Sequence, residues 1–401
     1  MNDGGEGGVG VRDITAELRR FVLDDALPLW AGAGRDRRHG GVHERLHFDG
    51  TPDLPAVKRL RVQARQIYVY AHAAALGWYP DGRRVAFEIL EFLLDRGRAP
   101  DGRPGYVHLL TPEGAVADGR RDTYDHMFVV LALAWLARAS GDAQVRRLVD
   151  DTLATIDELF DDGAGGYFES LPRALPRRQN PHMHAFEAML ALHETLAHPA
   201  APARLAALRG LLERHFIDAE TGLLIEHLDA ALSRYPPPQG DLVEPGHMAE
   251  WVWLLRRQEA LFGLPPGDLA GRLLAAALGY ADAASGYLPD EARRAGPVVA
   301  ATRRCWPQTE LAKAWTAEAL AGRPDAAGAA RRALVRLKDG YLCAPVPGGW
   351  IDQFDANGRA IATHMPASTL YHVLGAAVEA ERLARGAPAR DGSGPGTIKS
   401  S

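Results

Sequence analysis

The chain has 401 residues, 47% of them hydrophobic, and a formal net charge of −5. It can bury a large core, as one big domain or two ordinary ones. It has no basic block that would indicate a nucleic-acid partner and no apolar run near the roughly 18 residues of a membrane span. Two cysteines, Cys305 and Cys343, allow at most one disulfide, and the Gly-rich, acidic first ten residues do not resemble a signal peptide. We therefore expect a cytoplasmic protein without a membrane partner.

Ala, Leu and Arg dominate the chain, and alternating β-branched residues are almost absent, which favours helices. Gly and Pro breakers, such as those at Gly77–Pro80 and Leu264–Pro266, separate the periodic segments. We predict twelve helices, over 12–30, 56–77, 80–96, 121–140, 142–161, 181–197, 200–216, 246–263, 266–282, 306–321, 324–338 and 366–385.

A turn motif recurs between these helices: an acidic residue, glycines, an apolar or aromatic residue, then a polar one. It is clearest at Asp36–Glu44, Asp161–Glu169 and Asp218–Glu226. Six such turns about 55 to 65 residues apart indicate stacked units. Six helical hairpins can close into an all-α (α/α)6 barrel, which we prefer to an open helical solenoid. We predict one catalytic domain over 11–386, with disordered tails at 1–10 and 387–401.

The unusual polar residues cluster on the even-numbered helices, whereas the odd ones, such as 200–216, are plain Ala/Leu/Arg helices. In a barrel of this kind one set of helices lines the inside, so the even helices should converge on the axis. His184, His247 and His372 share this parity and lie near helix starts. A single histidine on a helix is more often structural than catalytic, but three at matching places predict a site.

The segment from Glu244 to Leu255 is the most informative. Pro245 and Gly246 mark a turn, so His247 and Glu250 occupy the first helical turn on one face. A histidine beside a carboxylate at the start of an apolar helix suits a site that moves protons.

Arg65 lies within an apolar helix, where a charge without a partner is costly. It could form a structural ion pair with Glu187 or Glu250, or bind sugar hydroxyls or a carbonyl oxygen. Trp306 could be core or a stacking surface for a sugar. Further candidates for substrate binding are Gln308, Glu187, Trp251 and Asp125.

Five strings resemble the N-acylglucosamine 2-epimerase superfamily, whose fold is an (α/α)6 barrel. They are Gln63–Arg65, Asn180–Ala188, Glu244–Trp251, Trp306–Glu310 and Tyr371–His372. The resemblance spans about residues 30 to 380. Trp251 after Glu250 is similar to the mannose and sulfoquinovose isomerase branch, whereas the epimerases usually carry a small residue there.

The resemblance implies that His184, His247 and His372 are the essential histidines, that Arg65 holds substrate, that Glu250 is the acidic partner and that Trp306 lines the pocket. It implies an aldose–ketose isomerase of the D-mannose/D-fructose type acting through an enediol. We expect His372 to be the C2 base and His247 the partner acid/base, with Glu250 orienting or tuning it. His184 would assist ring opening or bind a hydroxyl. No cofactor or metal is required, and a homodimer is plausible.

The alternatives are a 2-epimerase acting on N-acylglucosamine or cellobiose, and an inverting glycoside hydrolase using carboxylates such as Asp122, Asp125 and Glu250. A metal site could use the three histidines as ligands. A non-catalytic helical scaffold is the remaining alternative. Because no Walker or dinucleotide-type glycine loop occurs, a free sugar is favoured over a phosphorylated one.

Overall fold

The structure, a computed structural model, describes residues 10–386. The predicted tails therefore lie outside the described residues, except Gly10. Within the described range twelve helices follow one another, as predicted. α1 is continuous and consists of Val11–Arg20, a π-helical stretch at Phe21–Ala26, and Leu27–Gly32. α7 consists of Ala201–Leu211 and ends in a second π-helical stretch at Leu212–Phe216. The others are α2 Leu60–Ala75, α3 Gly82–Arg96, α4 Thr123–Ser140, α5 Ala143–Phe160, α6 Gln179–Leu196, α8 Pro245–Phe262, α9 Asp268–Leu278, α10 Cys305–Leu320, α11 Ala326–Tyr341 and α12 Thr369–Gly386.

The even helices form an inner ring. Each packs against the next even helix, and α12 returns to pack against α2, so the ring closes and the (α/α)6 barrel is confirmed over the open solenoid. The odd helices pack outside as amphipathic helices. α5, for example, buries Val145, Val149, Leu153 and Ile156 at the three- and four-residue spacing of one helical face.

Short strands precede the inner helices, and the sequence analysis did not predict these strands. Predicted helix starts at 56, 121 and 366 are therefore too early, because the residues just before α2, α4 and α12 pair as strands. Two or three residues are too few for a detectable alternation. The fourteen strands in residues 10–386 are β1 Arg45–Leu46, β2 Lys58–Arg59, β3 Leu109–Leu110, β4 Val116–Asp118, β5 Arg121–Asp122, β6 Ser170–Leu171, β7 Arg177–Arg178, β8 His227–Leu228, β9 Leu242–Val243, β10 Glu291–Arg293, β11 Val298–Ala300, β12 Arg303–Arg304, β13 Gln353–Phe354 and β14 Met365–Pro366.

These strands link neighbouring units at one end of the barrel. The antiparallel pairs β2–β3, β5–β6, β7–β8, β9–β10 and β12–β13 each join the strand before an inner helix to the next turn, and β14–β1 completes the circle. Arg45 pairs with Pro366 in that last step. The start of the domain is thereby tied to the start of its final inner helix.

The recurring turn motif ends in an acid that anchors the next inner helix. The carboxylates of Glu44, Glu169 and Glu226 accept from the backbone N–H of Arg59, Arg178 and Glu244, the N-cap residues of α2, α6 and α8. Four residues past the N-cap, another side chain holds the turn itself. These turn-binding residues are Gln63, His126, His182 and Gln308, which bind the backbone of Val42, Tyr106, Tyr167 and Leu288.

Candidate active site

The inner helices aim equivalent positions at the barrel axis. Residues six past the N-cap are Arg65 on α2, His184 on α6, Glu250 on α8 and Glu310 on α10. Together with His372 on α12 they form what we call the axial tier. Residues two and nine past the N-cap lie on the same helical face, above and below this tier.

A pocket of about 300 Å³ opens over the axial tier. The structure brings six predicted residues to its wall: His184, His247, His372, Glu250, Arg65 and Trp306. The wall also contains residues that the sequence analysis did not assign, namely Arg59, Tyr124, Asn180, Glu244, Arg304, Asp352, Pro366, Ser368 and Thr369.

His372 is held by Glu310. Its Nδ1 lies 2.8 Å from Glu310 Oε1, and the histidine is only 6% exposed. Burial lowers the pKa of His372 to about 4, although Glu310 acts in the opposite direction. The neutral ring therefore donates Nδ1–H to Glu310 and leaves Nε2 as a proton acceptor.

His184 has the same arrangement on α6. Its Nδ1 lies 2.9 Å from Glu187 Oε2, and the other oxygen of Glu187 accepts from the hydroxyl of Tyr371. Burial lowers the pKa of His184 to about 4. Glu187, a predicted substrate-binding residue, is thus occupied on both oxygens and lies behind His184 rather than in the pocket wall.

His247 differs in charge. Burial lowers its pKa, but Glu244 and Glu226 together raise it to about 10, so the ring is a cation at neutral pH. Nδ1 lies 2.9 Å from Glu226 Oε2, and Nε2 lies 3.1 Å from the amide of Asn180. When both ring nitrogens donate, that amide must present its oxygen.

Glu250 does not orient His247, which was one of its two roles expected from the sequence, because Glu226 from the preceding turn occupies Nδ1. Three residues further along α8, Glu250 lies deeper, within 4.8 Å of a ligand atom of both Glu310 and His372. Burial and the charge of Glu310 raise its pKa well above the ordinary value, and its buried Oε1 has no hydrogen-bond partner. Glu250 is therefore a neutral acid in the pocket wall.

Arg65 forms no ion pair with Glu187 or Glu250. Its guanidinium donates to the Tyr124 hydroxyl at 2.8 Å and lies 4.3 Å from the centre of the Phe128 ring. The buried Nε has no partner. A cation held by aromatic rings with a free N–H suits a ligand oxygen better than an internal salt bridge.

Trp306 forms an aromatic wall between two histidines, its ring centre 5.1 Å from that of His247 and 5.9 Å from that of His372. Gly246 makes room for it, since a Cβ there would lie 2.7 Å from the Trp306 ring. The Pro-Gly-His string thus needs its glycine for close approach to the indole.

Besides Glu187, three predicted substrate-binding residues do not reach the pocket wall. Gln308 is a turn-binding residue, with its amide bonded to Leu288 N and O. Trp251 is buried and donates Nε1–H to Gln179. Asp125 is buried against Arg61 and His108, and Asp122, which with Asp125 served the hydrolase hypothesis, is also outside the wall.

Glu226 is the carboxylate partner of His247, and the sequence did not predict it. It ends one of the recurring turn motifs, so the repeat placed it beside a helix start, but nothing local connects it with a histidine 21 residues later.

Among the described residues, the candidate metal-ligand clusters near the pocket each combine one histidine with carboxylates, and none unites His184, His247 and His372. None of the helices in residues 10–386 is long and apolar enough to cross a membrane.

Comparison with known proteins identifies relatives over most of the chain. Residues 40–376 match the model of the N-acylglucosamine 2-epimerase (GlcNAc 2-epimerase) family. The chain is 35% identical over 394 residues to mannose-6-phosphate isomerase of Rhizobium meliloti (strain 1021), covering 93% of this chain and 98% of that protein. It is 31% identical over 276 residues to D-mannose isomerase of Thermobifida fusca, covering 64% of each. The structure of cellobiose 2-epimerase from Spirochaeta thermophila DSM 6192 has the same fold, with a TM-score of 0.83, 24% identity, and coverage of 94% of this chain and 98% of that one.

Proposed function

Because the chain belongs to the N-acylglucosamine 2-epimerase family, whose members are sugar isomerases and epimerases, we propose that it interconverts D-mannose and D-fructose. One observation carries the proposal. Three histidines, each with Nδ1 on a carboxylate, lie around one pocket together with an arginine that has a free N–H. Aldose–ketose isomerisation needs such a set, because a proton moves between C2 and C1 while charge develops on O1 and O2.

The three histidines support different roles. Neutral His372, with Nε2 unprotonated, is the base that removes the C2 proton and returns it to C1. Cationic His247 exchanges its Nε2 contact with Asn180 for the developing oxyanion and donates a proton or a hydrogen bond to it, together with Arg65. His184 and neutral Glu250 remain to open the sugar ring by proton transfer to the ring oxygen and from the anomeric hydroxyl.

The lining charges favour a neutral sugar over its phosphate. Arg59, Arg65, Arg304 and the cationic His247 line the pocket, but Arg304 is paired with Asp290 and His247 with Glu226, both outside the wall. Arg59 is already paired with Glu44, outside the wall. The volume of about 300 Å³ is at the lower end of the range for ligand sites and suits a monosaccharide.

A 2-epimerase is the second candidate, and a specific observation favours it. Epimerisation at C2 needs a second base on the opposite face of the enediol, and His184 is also neutral and tied through Nδ1 to a carboxylate. The names of the two relatives favour isomerisation, and the second neutral histidine favours epimerisation.

One experiment separates these outcomes. Purified protein is incubated in deuterated water with mannose, fructose, glucose, N-acetylglucosamine, cellobiose and mannose 6-phosphate in parallel, and the products are read by NMR. Fructose from mannose is the expected result. C2-inverted aldose carrying deuterium at C2, without ketose, would establish the epimerase instead. Turnover of mannose 6-phosphate alone would overturn the argument from the lining charges.

A further inference from the structure

A buried lysine lies one helical turn below the catalytic histidines. Lys313 is three residues past Glu310 on α10 and is 1% exposed. Its Nζ lies 2.6 Å from Glu310 Oε2 and 3.6 Å from the centre of the Trp253 ring. A fully buried ammonium is costly unless it is paired, so its placement under the axial tier requires an explanation.

The ammonium of Lys313 interacts unequally with the three carboxyl groups around it, those of Glu310, Glu187 and Glu250. Glu310 has the direct ion pair on Oε2, while its Oε1 accepts from His372. Glu187 uses its two oxygens on His184 and Tyr371. Glu250 has no partner at Oε1. Burial raises the pKa of Glu187, but the hydrogen bond with His184 and then the charge of Lys313 lower it overall. The direct ion pair nevertheless selects Glu310.

We propose that Lys313 is a positioning residue that keeps Glu310 ionised, so that His372 donates Nδ1–H to it and presents an unprotonated Nε2 to the substrate. The role of His372 as the base rests on the proposed function, but the proton placement does not. Lys313 touches no substrate and acts through two intervening side chains, Glu310 and then His372.

The surrounding charges support this assignment. The groups that act on the Lys313–Glu310 pair come from three helices: Glu250 on α8, Glu187 on α6, and His372 and Tyr371 on α12. Arg65 on α2 acts on His372. Burial alone would raise the pKa of Glu310, but Lys313 and then His372 outweigh it and bring the pKa to about 2. Without the ammonium, Glu310 would be a buried carboxyl group beside Glu250 and would take up a proton.

The test replaces Lys313 with Met, which retains the volume and removes the charge. A protonated Glu310 can donate to His372 Nδ1, which moves the ring proton to Nε2 and blocks the base. We expect kcat/KM for mannose to fall by up to about 10²-fold near pH 5 and by only about two-fold or less at pH 7. Because Glu310 ionises again at higher pH, the acid limb of the kcat/KM profile should move upward by about 1 to 3 pH units. Lys313→Arg, which retains the charge, should recover part of the activity and the original limb.

Lys58→Met is the matched control. Lys58 is also 1% exposed, pairs with Asp36 at 2.7 Å and lies over the Phe92 ring at 5.0 Å, but it holds a turn outside the axial tier. It should cost stability like Lys313→Met and leave the acid limb in place. Equal shifts of the acid limb in both variants, or no shift in Lys313→Met, would overturn the proposal.

A measurement on the unaltered protein does not depend on the folding of a variant. Histidine ¹⁵N spectra of ligand-free protein, with His372→Gln used for assignment, should show the Nδ1–H form of His372 across neutral pH. An Nε2–H form contradicts the role of Lys313. If the Nδ1–H form is found but no sugar is turned over, the proposed function fails and the proton placement stands.

Discussion

His182 and His184 are two residues apart on the same inner helix, and their buried environments look alike. Both are 3% exposed, and burial lowers the pKa of each to about 4. They differ in what their nitrogens bind. His182 donates from Nδ1 to Arg178 O and accepts at Nε2 from Tyr167 N, so both nitrogens are used within the fold. His184 uses Nδ1 on Glu187 and faces the pocket with the rest of its ring.

The same contrast separates two sets of residues on the inner helices. The turn-binding residues, four past the N-cap, use their polar atoms to hydrogen-bond backbone groups of the recurring turns. The axial tier, six past the N-cap, retains free polar atoms around the pocket, except at Glu310, whose two oxygens bind His372 and Lys313. Residue type and burial therefore do not identify a catalytic residue in this barrel. An unsatisfied polar atom does so only at the pocket wall, since His72 Nε2 is also buried without a partner but lies outside it.

The largest expected effect is that of His372→Gln in the axial tier. The variant lacks the imidazole base, so kcat/KM for mannose should fall about 10³-fold, within the usual range for a lost general base. Proton exchange at C2 in deuterated water, followed by NMR, measures the step directly. If C2 exchange persists at close to the original rate, His372 is not the base and His184 becomes the next candidate.

Arg65→Met should cost about 10²- to 10³-fold in kcat, because a preorganised donor to the enediolate is lost. Arg65→Lys retains the charge but not the planar fork held between Tyr124 and Phe128. Its kcat should lie between that of the unaltered protein and that of Arg65→Met. Steady-state kinetics on both variants measure whether kcat follows this order. A purely structural Arg65 would lower the free energy of unfolding in both variants and leave kcat nearly unchanged.

The barrel, the parity of its inner helices and the six predicted residues of the pocket wall follow from helical spacing and from where polar clusters begin. The hydrogen-bond partners do not. His247 is paired with Glu226 because a turn 21 residues earlier folds back over α8, and no local spacing encodes that contact. Gln308 is a predicted substrate-binding residue, but it lies two positions past Trp306, and this rotation along the helix turns its amide toward Leu288.

His182 offers the opposite test. His182→Ala leaves the buried N–H of Tyr167 without an acceptor, so the free energy of unfolding should fall by about 1–3 kcal/mol, measured in urea. His182→Gln should cost less, because Gln63 and Gln308 bind turns at the equivalent position. In both variants kcat should stay near that of the unaltered protein. A large loss of kcat in the stable Gln variant would remove the distinction between the two sets.

Trp251→Phe should have the smallest effect on activity. Trp251 is connected to the site only through a chain in which its Nε1–H binds Gln179, Gln179 binds Glu226, and Glu226 binds His247. Phenylalanine retains the packing against Phe186 and removes one donor, which should cost about 1 kcal/mol of stability.

Because the carboxylate that holds His247 is untouched in Trp251→Phe, KM for mannose should hardly change and kcat should fall only a few-fold. Gln179→Leu, which breaks the next link, is the control and should reduce kcat further. If Trp251→Phe instead raised KM strongly and left kcat intact, the indole would have to contact the sugar. Its influence on the choice between isomerase and epimerase would then be direct rather than transmitted through His247.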